Sequence, residues 1–241
     1  MTKLSVNINK IATIRNARGG NMPNLVEAAI KIQEFGGQGI TIHPRPDERH
    51  IRYQDVYDLK PVVTTEFNIE GKPIDSFMEL VLNSKPEQVT LVPDAEDAIT
   101  SNAGWDTIKH FDYLTDVIKT FKDAGIRTSI FLDPNPTLIE SAAKTGADRI
   151  ELYTEEFATQ YGLGNLEAIN PYKETAKLAI ENGLAVNAGH DLSLDNIEYF
   201  IREIPTIAEV SIGHALISEA LYLGLENTIQ AYLRKIELAN L

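Results

Sequence analysis

The chain has 241 residues, a formal net charge of −13 at pH 7, and no cysteine. The excess of acidic residues argues against a general nucleic-acid or membrane-surface partner. The lack of cysteine excludes disulfides, thiolate nucleophiles and cysteine-ligated metal sites. The N-terminus does not resemble a leader and no apolar stretch is long enough to span a bilayer, so we expect a cytoplasmic protein.

Eight short apolar, β-branched runs predict buried strands, and segments with helical periodicity separate them. Eight strand–helix units in about 250 residues are typical of a (β/α)8 TIM barrel, and we predict one α/β domain over residues 1–241. A doubly wound sheet is less favoured because the glycine-rich phosphate motif of that fold is absent. The last helical pattern runs over 215–238. The predicted strands are 4–8, 39–43, 62–67, 88–92, 127–132, 149–153, 184–188 and 209–212.

Polar side chains are expected where these strands end, because TIM barrels carry their active sites at the carboxyl ends of the strands. Four of the five histidines lie at the carboxyl ends of predicted strands, and His110 lies in a predicted helix start. A structural role for each histidine is the simpler alternative, but it is less favoured for the group. The residues at the ends are Asn7, Asn9, His43, Arg45, His50, Glu66, Glu70, Thr100, Asp133, Glu151, Asn187, His190, Gly213 and His214.

The second of these ends holds His43-Pro-Arg-Pro-Asp-Glu-Arg-His50, directly after the run Gly39-Ile-Thr-Ile42. The two prolines stiffen the exit from the strand and discourage an immediate helix. Histidine and arginine side chains are thereby presented on a constrained loop. We interpret the segment as a site for an anionic substrate.

A second anion site is predicted at Gly213-His214, which opens the last helix directly after the eighth strand. TIM barrels often bind phosphate there, on free backbone N–H groups at a helix N-terminus. A tight turn that needs glycine is the structural alternative. The segment Asn187-Ala-Gly-His190-Asp191 is expected to complete this cradle.

Two glutamates are candidate acid–base groups. Glu70 follows the third predicted strand, where a partly closed barrel mouth can raise a carboxyl pKa towards a useful base. Glu151 lies inside an apolar strand, so it needs a partner, and a buried ion pair is the alternative. Lys10 as a Schiff-base lysine is disfavoured because it lies just past a strand. A metal site is disfavoured because the chain lacks the histidine–carboxylate spacing of metal sites.

Four long motifs resemble the pyridoxine 5'-phosphate synthase family over nearly the whole chain. They are Val6-Asn-Ile with Ile11-Ala-Thr-Ile-Arg-Asn-Ala-Arg-Gly19, the segment from Gly39 to Ile51, Val186-Asn-Ala-Gly-His190, and Ile212-Gly-His-Ala-Leu-Ile217. The resemblance implies a (β/α)8 barrel, an octamer of dimers, and catalysis without a metal or other cofactor. It also implies condensation of 3-amino-2-oxopropyl phosphate with 1-deoxy-D-xylulose 5-phosphate, which gives pyridoxine 5'-phosphate, phosphate and water.

The same resemblance assigns roles to individual residues. His43 and Glu70 match the proton acceptors, His190 matches the proton donor, and Glu151 matches a carboxylate that stabilises positive charge. The residues that match contacts to the amino-ketone phosphate are Asn7, Arg18, Asp191, Gly213 and His214. Those that match contacts to the deoxyxylulose phosphate are Arg45, His50 and Thr100.

The chain departs from the family pattern at two places. Asn9-Lys10 stands where many members have Asp-His, and we expect Lys10 to contact the deoxyxylulose phosphate. Asp191 stands where glycine is usual, so we expect only its backbone N–H to contact the substrate. The stretch 93–105 is long for a barrel connection, and it is either a lid or a subunit contact. Two other functions remain alternatives: a sugar-phosphate lyase or isomerase, and a non-catalytic phosphate-metabolite binding protein.

Overall fold

Eight parallel strands close into a barrel in chain order, with β1 paired to both β2 and β8. The computed structural model of the protein describes residues 1–93 and 103–241. The predicted (β/α)8 fold is confirmed. The strands are β1 (Lys3–Asn7), β2 (Gly39–Ile42), β3 (Glu66–Gly71), β4 (Gln88–Leu91), β5 (Arg127–Leu132), β6 (Arg149–Tyr153), β7 (Ala185–Gly189) and β8 (Ile207–Ile212).

Helices follow the strands and cover the outside of the barrel. Within the described residues no helix is both long and apolar enough to cross a membrane. The α-helices are α1 (Asn9–Asn16), α2 (Leu25–Glu34), α3 (Tyr53–Leu59), α4 (Asp75–Ser84), α5 (Phe111–Asp123), α6 (Ile139–Lys144), α7 (Glu155–Gly162), α8 (Asn170–Glu181), α9 (Ile197–Glu203), α10 (His214–Leu223) and α11 (Leu225–Ala239).

The strands alternate between apolar and polar residues. Leu4 and Val6 of β1, like Phe67 and Ile69 of β3, are fully buried in the hydrophobic core. Successive side chains of a strand point to opposite faces, so the apolar residues face the helices and the polar ones face the barrel interior. The interior of this barrel is therefore polar.

Hydrogen bonds connect the polar side chains in the middle of the barrel. Ser5 Oγ lies 2.7 Å from Thr41 Oγ1, and Thr41 Oγ1 accepts from Asn68 Nδ2 at 3.4 Å. Thr90 Oγ1 donates to Asn68 Oδ1 at 3.1 Å. These bonds satisfy polar groups that would be costly to bury alone. The polar interior is in this way compatible with a stable fold.

The amino end of the barrel is closed by a cluster of charged residues. Arg127 forms an ion pair with Glu66, and Arg149 lies 3.8 Å from Glu66 and 3.6 Å from Glu209. Burial, followed by the nearby Glu66, raises the pKa of Glu209 well above its usual value. The cluster lies at the end of the barrel opposite to the predicted functional end.

The third strand starts four residues later than predicted. Val62 and Val63 both donate backbone hydrogen bonds to Leu59 O at the end of α3. The backbone N–H groups of Thr64 and Thr65 donate to Gln33 Oε1 instead of to a neighbouring strand. Residues 62–65 therefore form a loop, and the backbone N–H groups of this loop are satisfied by Leu59 and Gln33. As a result Glu66 lies at the amino end of the barrel, and the prediction that it lies at the carboxyl end of the third strand was wrong.

The last helical pattern also differs from its prediction. The continuous pattern over 215–238 is divided into α10 and α11 at Gly224, whose φ is +80°. Glycine adopts this left-handed conformation at little cost. The division leaves α10 as a separate helix whose N-terminus follows β8 directly.

Candidate active site

A cavity of about 340 Å³ opens at the carboxyl ends of the strands. It brings together twelve of the fourteen residues that were predicted to act in catalysis or substrate binding. Of the other two, Thr100 lies outside the described residues, and Arg18 is exposed on the turn after α1 and does not line the cavity. The lining residues are Asn7, Asn9, Lys10, His43, Arg45, His50, Glu70, Val92, Phe131, Glu151, His190, Asp191, Ser211, Gly213 and His214.

One wall of the cavity carries His43 and Glu70, from the ends of β2 and β3. His43 Nδ1 lies 3.9 Å from Glu70 Oε2, and Asn7 Nδ2 donates to the same oxygen at 3.5 Å. Burial, followed by the charge of Arg45, holds the pKa of His43 well below its usual value. His43 is therefore a neutral imidazole near pH 7, which is the form that accepts a proton.

Asn9 holds the backbone of this wall in place through two hydrogen bonds. Its Oδ1 accepts a 2.9 Å hydrogen bond from the backbone N–H of His43, and its own N–H donates to Asn7 Oδ1 at 3.0 Å. The amide oxygen of Asn9 is thereby used to hold the end of β2. Lys10 is the next residue of α1, and it is exposed at the rim of the cavity.

Arg45 and His50 lie on the loop after β2. Arg45 is buried, and the His50 ring packs edge-on against the His43 ring with centroids 6.4 Å apart. Burial, followed by the charges of Arg45 and Lys10, lowers the pKa of His50 to about 4. A buried guanidinium beside a neutral imidazole is a suitable pair of donors for a phosphate group.

The opposite wall carries Glu151, which is 3% exposed. Burial raises its pKa to about 7, while the charge of His190 and a hydrogen bond with Thr90 act in the opposite direction. Gly189 permits the position of this carboxylate, because a Cβ there would lie 2.8 Å from Glu151 Oε1. A carboxyl group that changes charge near neutral pH is suited to a reaction with a developing positive charge.

His190 follows β7 with a φ of +88°, in the left-handed region. Its backbone N–H donates to Ser211 O at 3.3 Å, which extends the pairing of β7 with β8. Its Nδ1 lies 2.5 Å from Asp191 Oδ2, and Tyr153 packs edge-on against the ring at 5.2 Å. The side chain is thus held in one orientation at the mouth.

Gly213 and His214 form the N-terminal end of α10 directly after β8. A Cβ on Gly213 would lie 3.1 Å from Asn7 Cβ, so the backbone passes close to β1. Free N–H groups at such an end favour an anion. Asn187, which was expected to complete this cradle, instead accepts a 3.2 Å hydrogen bond from Arg149 inside the barrel. That part of the prediction was wrong.

The strand order places the acid–base groups on two sides. In a barrel of eight strands in chain order, β2 and β3 lie opposite β6 and β7. His43 and Glu70 therefore face Glu151 and His190 across the cavity. Among the described residues no group of three histidine, aspartate or glutamate side chains is arranged to hold a metal ion.

Three lining residues were not predicted: Val92, Phe131 and Ser211. Phe131 packs against Tyr153 with ring centroids 5.4 Å apart, and it supports the face on which His190 lies. The alternation Glu209-Val-Ser-Ile212 contains the signal for Ser211, because a polar residue at every second position marks the face towards the interior.

Comparison with known proteins agrees with the family resemblance of the sequence motifs. Residues 4–238 match the family described as pyridoxal phosphate biosynthesis protein PdxJ. Proteins named pyridoxine 5'-phosphate synthase from Christiangramia forsetii and Flavobacterium johnsoniae are each 68% identical over 237 residues, which is 98% of this chain and 100% of each relative. One of the same name from Bacteroides fragilis is 62% identical over 96% of this chain and 98% of its own length.

Solved structures with the same fold are much more distant in sequence. Phosphoribosylanthranilate isomerase from Thermotoga maritima has a TM-score of 0.62 at 13% identity, covering 98% of this chain and 99% of its own. Thiamine phosphate pyrophosphorylase from Pyrococcus furiosus has a TM-score of 0.64 at 11% identity, covering 99% and 96%. These likenesses concern the barrel alone.

Proposed function

The chain belongs to the family of pyridoxal phosphate biosynthesis protein PdxJ, and on that premise we propose that it is an enzyme, a pyridoxine 5'-phosphate synthase. It condenses 3-amino-2-oxopropyl phosphate with 1-deoxy-D-xylulose 5-phosphate, and it releases pyridoxine 5'-phosphate, inorganic phosphate and water. Joining an amine to a ketone, eliminating phosphate and closing an aromatic ring all require repeated proton transfers. The protein side chains supply these transfers without a cofactor.

The observation that carries the proposal is the pair of acid–base walls. His43 and Glu70 lie on one side of the cavity, and Glu151 and His190 lie on the other. A substrate between them meets proton acceptors on one side and a proton donor on the other. We assign His43 and Glu70 as acceptors and His190 as donor, and Glu151 stabilises the positive charge that develops on the amine-derived nitrogen.

Two anion sites flank β1 and would hold the two phosphates. The N-terminal end of α10, with Gly213 and His214, is assigned to the amino-ketone phosphate, together with Asn7 and the backbone of Asp191. The loop after β2 is assigned to the deoxyxylulose phosphate through Arg45 and His50, and Lys10 adds a cation at the rim. Holding both substrates in one cavity replaces an encounter in solution by a reaction between fixed neighbours.

A direct assay tests this function. Purified protein is mixed with both substrates, and the formation of pyridoxine 5'-phosphate is followed by chromatography. Glu70→Gln keeps the size of the side chain but removes the base, so product formation should fall by about 10²–10⁴-fold. Glu140→Gln is a matched control, because Glu140 lies fully exposed on α6. Absence of product from folded wild-type protein would contradict the proposal.

The same assay separates the alternative functions. A lyase or isomerase would consume one sugar phosphate in the absence of the amino ketone, whereas a synthase needs both substrates. A non-catalytic binding protein would bind both phosphates in calorimetry and release no inorganic phosphate. The two anion sites and the two acid–base walls favour the synthase over both alternatives.

The proposal extends to location and assembly. We propose a cytoplasmic location, as expected from the sequence, and an octamer of dimers, as the family resemblance implies. Light scattering on the purified protein tests the assembly, and fractionation of cells tests the location.

A further inference from the structure

Asp191 forms a short contact with the histidine that precedes it. Asp191 Oδ2 lies 2.5 Å from His190 Nδ1, and both side chains are about one-third exposed or less. Glycine is the residue that the family pattern leads one to expect at this position. A carboxylate is therefore present at the mouth of the cavity where a backbone N–H alone was anticipated.

The backbone of Asp191 is held on both sides. Its N–H donates to Thr154 Oγ1 at 3.2 Å, and its carbonyl oxygen accepts from Asn196 Nδ2 at 3.4 Å. Thr154 in turn donates its own hydroxyl to Gly189 O at 2.6 Å. These contacts tie the residue to the ends of β6 and β7, so its carboxylate does not depend on the substrate for its position.

The contact determines which nitrogen of His190 carries the proton. An ionised carboxylate can only accept a hydrogen bond, so Nδ1 must be the N–H donor. In the neutral ring, Nε2 is then the basic nitrogen, and in the cation it is the N–H that can be given away. Tyr153 packs edge-on against the His190 ring, with centroids 5.2 Å apart and an interplanar angle of 83°.

We propose that Asp191 is a positioning residue for His190. It holds the imidazole in the Nδ1–H tautomer and in one orientation, so that proton exchange with the substrate takes place at Nε2. The identity of the reaction rests on the proposed function, but the tautomer does not. A carboxylate that orients a histidine in this way is a general arrangement in acid–base catalysis.

Nitrogen NMR of histidine-labelled protein tests the tautomer without any substrate. The chemical shifts of Nδ1 and Nε2 distinguish the two neutral forms, and His190→Gln identifies the signals. We expect the Nδ1–H form in the wild type and in Asp191→Asn, whose amide oxygen still accepts. Asp191→Gly should move the signals towards the Nε2–H form. An Nε2–H form in the wild type, or no change in the glycine variant, would overturn the proposal.

Steady-state kinetics test the consequence for the reaction. Loss of the orienting group should lower kcat of Asp191→Gly about 10- to 100-fold, less than the loss of the histidine itself, because the correct tautomer is still partly populated. The KM values of both substrates should stay within about twofold. Asp191→Asn should lose less than Asp191→Gly. A raised KM with unchanged kcat would assign Asp191 to substrate binding and overturn the positioning role.

Asp195→Asn is the matched control, since Asp195 is exposed in the same loop and should leave both the spectrum and kcat unchanged. The NMR result on His190 does not need turnover. If the wild type makes no pyridoxine 5'-phosphate but shows the Nδ1–H form, the proposed function fails and the His190–Asp191 pair stands. If product forms but His190 is in the Nε2–H form, the proposed function stands and only the positioning role of Asp191 fails.

Discussion

The backbone N–H of Ile51 donates a 2.8 Å hydrogen bond to Nδ1 of His50. This nitrogen must therefore carry a lone pair, and the proton of the neutral ring lies on Nε2. Protonation of Nδ1 would break the bond and place a second cation beside Arg45. The hydrogen bond and the lowered pKa of His50, about 4, point in the same direction. His50 is a neutral N–H donor at physiological pH.

This state predicts a loss of stability in mild acid. The folded-state pKa of His50 lies below the unfolded value of 6.5, so the unfolded chain binds more protons between about pH 6.5 and 4. The free energy of unfolding should fall as the pH drops through this window. From pH 7 to 5 the share due to His50 is about 2 kcal/mol. His50→Asn keeps an acceptor for the Ile51 N–H, and the difference between urea unfolding at the two pH values should shrink by that amount.

The raised pKa of Glu151, about 7, predicts the pH dependence of the rate. If the carboxylate stabilises positive charge, only the ionised form is active, and kcat should rise as the pH passes through about 7. In Glu151→Gln this rise should disappear and kcat should be low at every pH. If Glu151→Gln kept the same rise of kcat between pH 6 and 8, another group would be responsible for that rise.

The same residue predicts a trade between stability and activity. A carboxyl group whose pKa is raised by burial makes the folded state bind more protons than the unfolded state between about pH 4.5 and 7. The ionised form therefore destabilises the fold above pH 7. Glu151→Gln should be more stable than the wild type at pH 8, and the difference should vanish near pH 4. Denaturant unfolding at both pH values measures it.

Glu66 and Glu209, at the amino end of the barrel, predict unequal effects of the same substitution. Burial, followed by the nearby Glu66 with which it shares a hydrogen bond, raises the pKa of Glu209 well above its usual value. Glu209→Gln imitates the protonated form and should change the free energy of unfolding little. Glu66→Gln removes the carboxylate that pairs with Arg127 and lies near Arg149, and it should cost roughly 2–4 kcal/mol. Equal losses in the two variants would contradict this assignment.

Much of this arrangement could be predicted from the sequence. The eight alternating strand and helix patterns predict the barrel. The polar residues at the strand ends predict the cavity, because parallel strands bring those ends together. The start of β3 could not be predicted, since Val62 and Val63 have strand propensity and only the contact with Gln33 explains the loop. The hydrogen bond from His43 to Asn9 and the contact of Gly189 with Glu151 also depend on distances between distant segments.

Substitution of Lys10 tests its role in the Asn9-Lys10 pair, which stands where many family members have Asp-His. Its exposed side chain lies at the rim beside the loop that carries His50. If Lys10 attracts the deoxyxylulose phosphate, Lys10→Ala should raise the KM for that substrate about threefold to tenfold, as expected for an exposed ion pair of roughly 1 kcal/mol. The kcat and the KM for the amino ketone should not change. Lys109→Ala, in the segment before α5, is the control, and an unchanged KM in Lys10→Ala would contradict the role.

Gly189 predicts how tightly the fold constrains the site. A Cβ at this position would lie 2.7 Å from Ser211 O and 2.8 Å from Glu151 Oε1. Gly189→Ala must therefore separate β7 from β8 or displace the Glu151 carboxylate. Overpacking of this kind should cost about 1–3 kcal/mol in stability, and a displaced carboxylate should lower kcat roughly a hundredfold. Gly162→Ala is the control, because a Cβ there meets nothing within 4 Å. If Gly189→Ala kept full kcat, the position of Glu151 would not matter for the reaction.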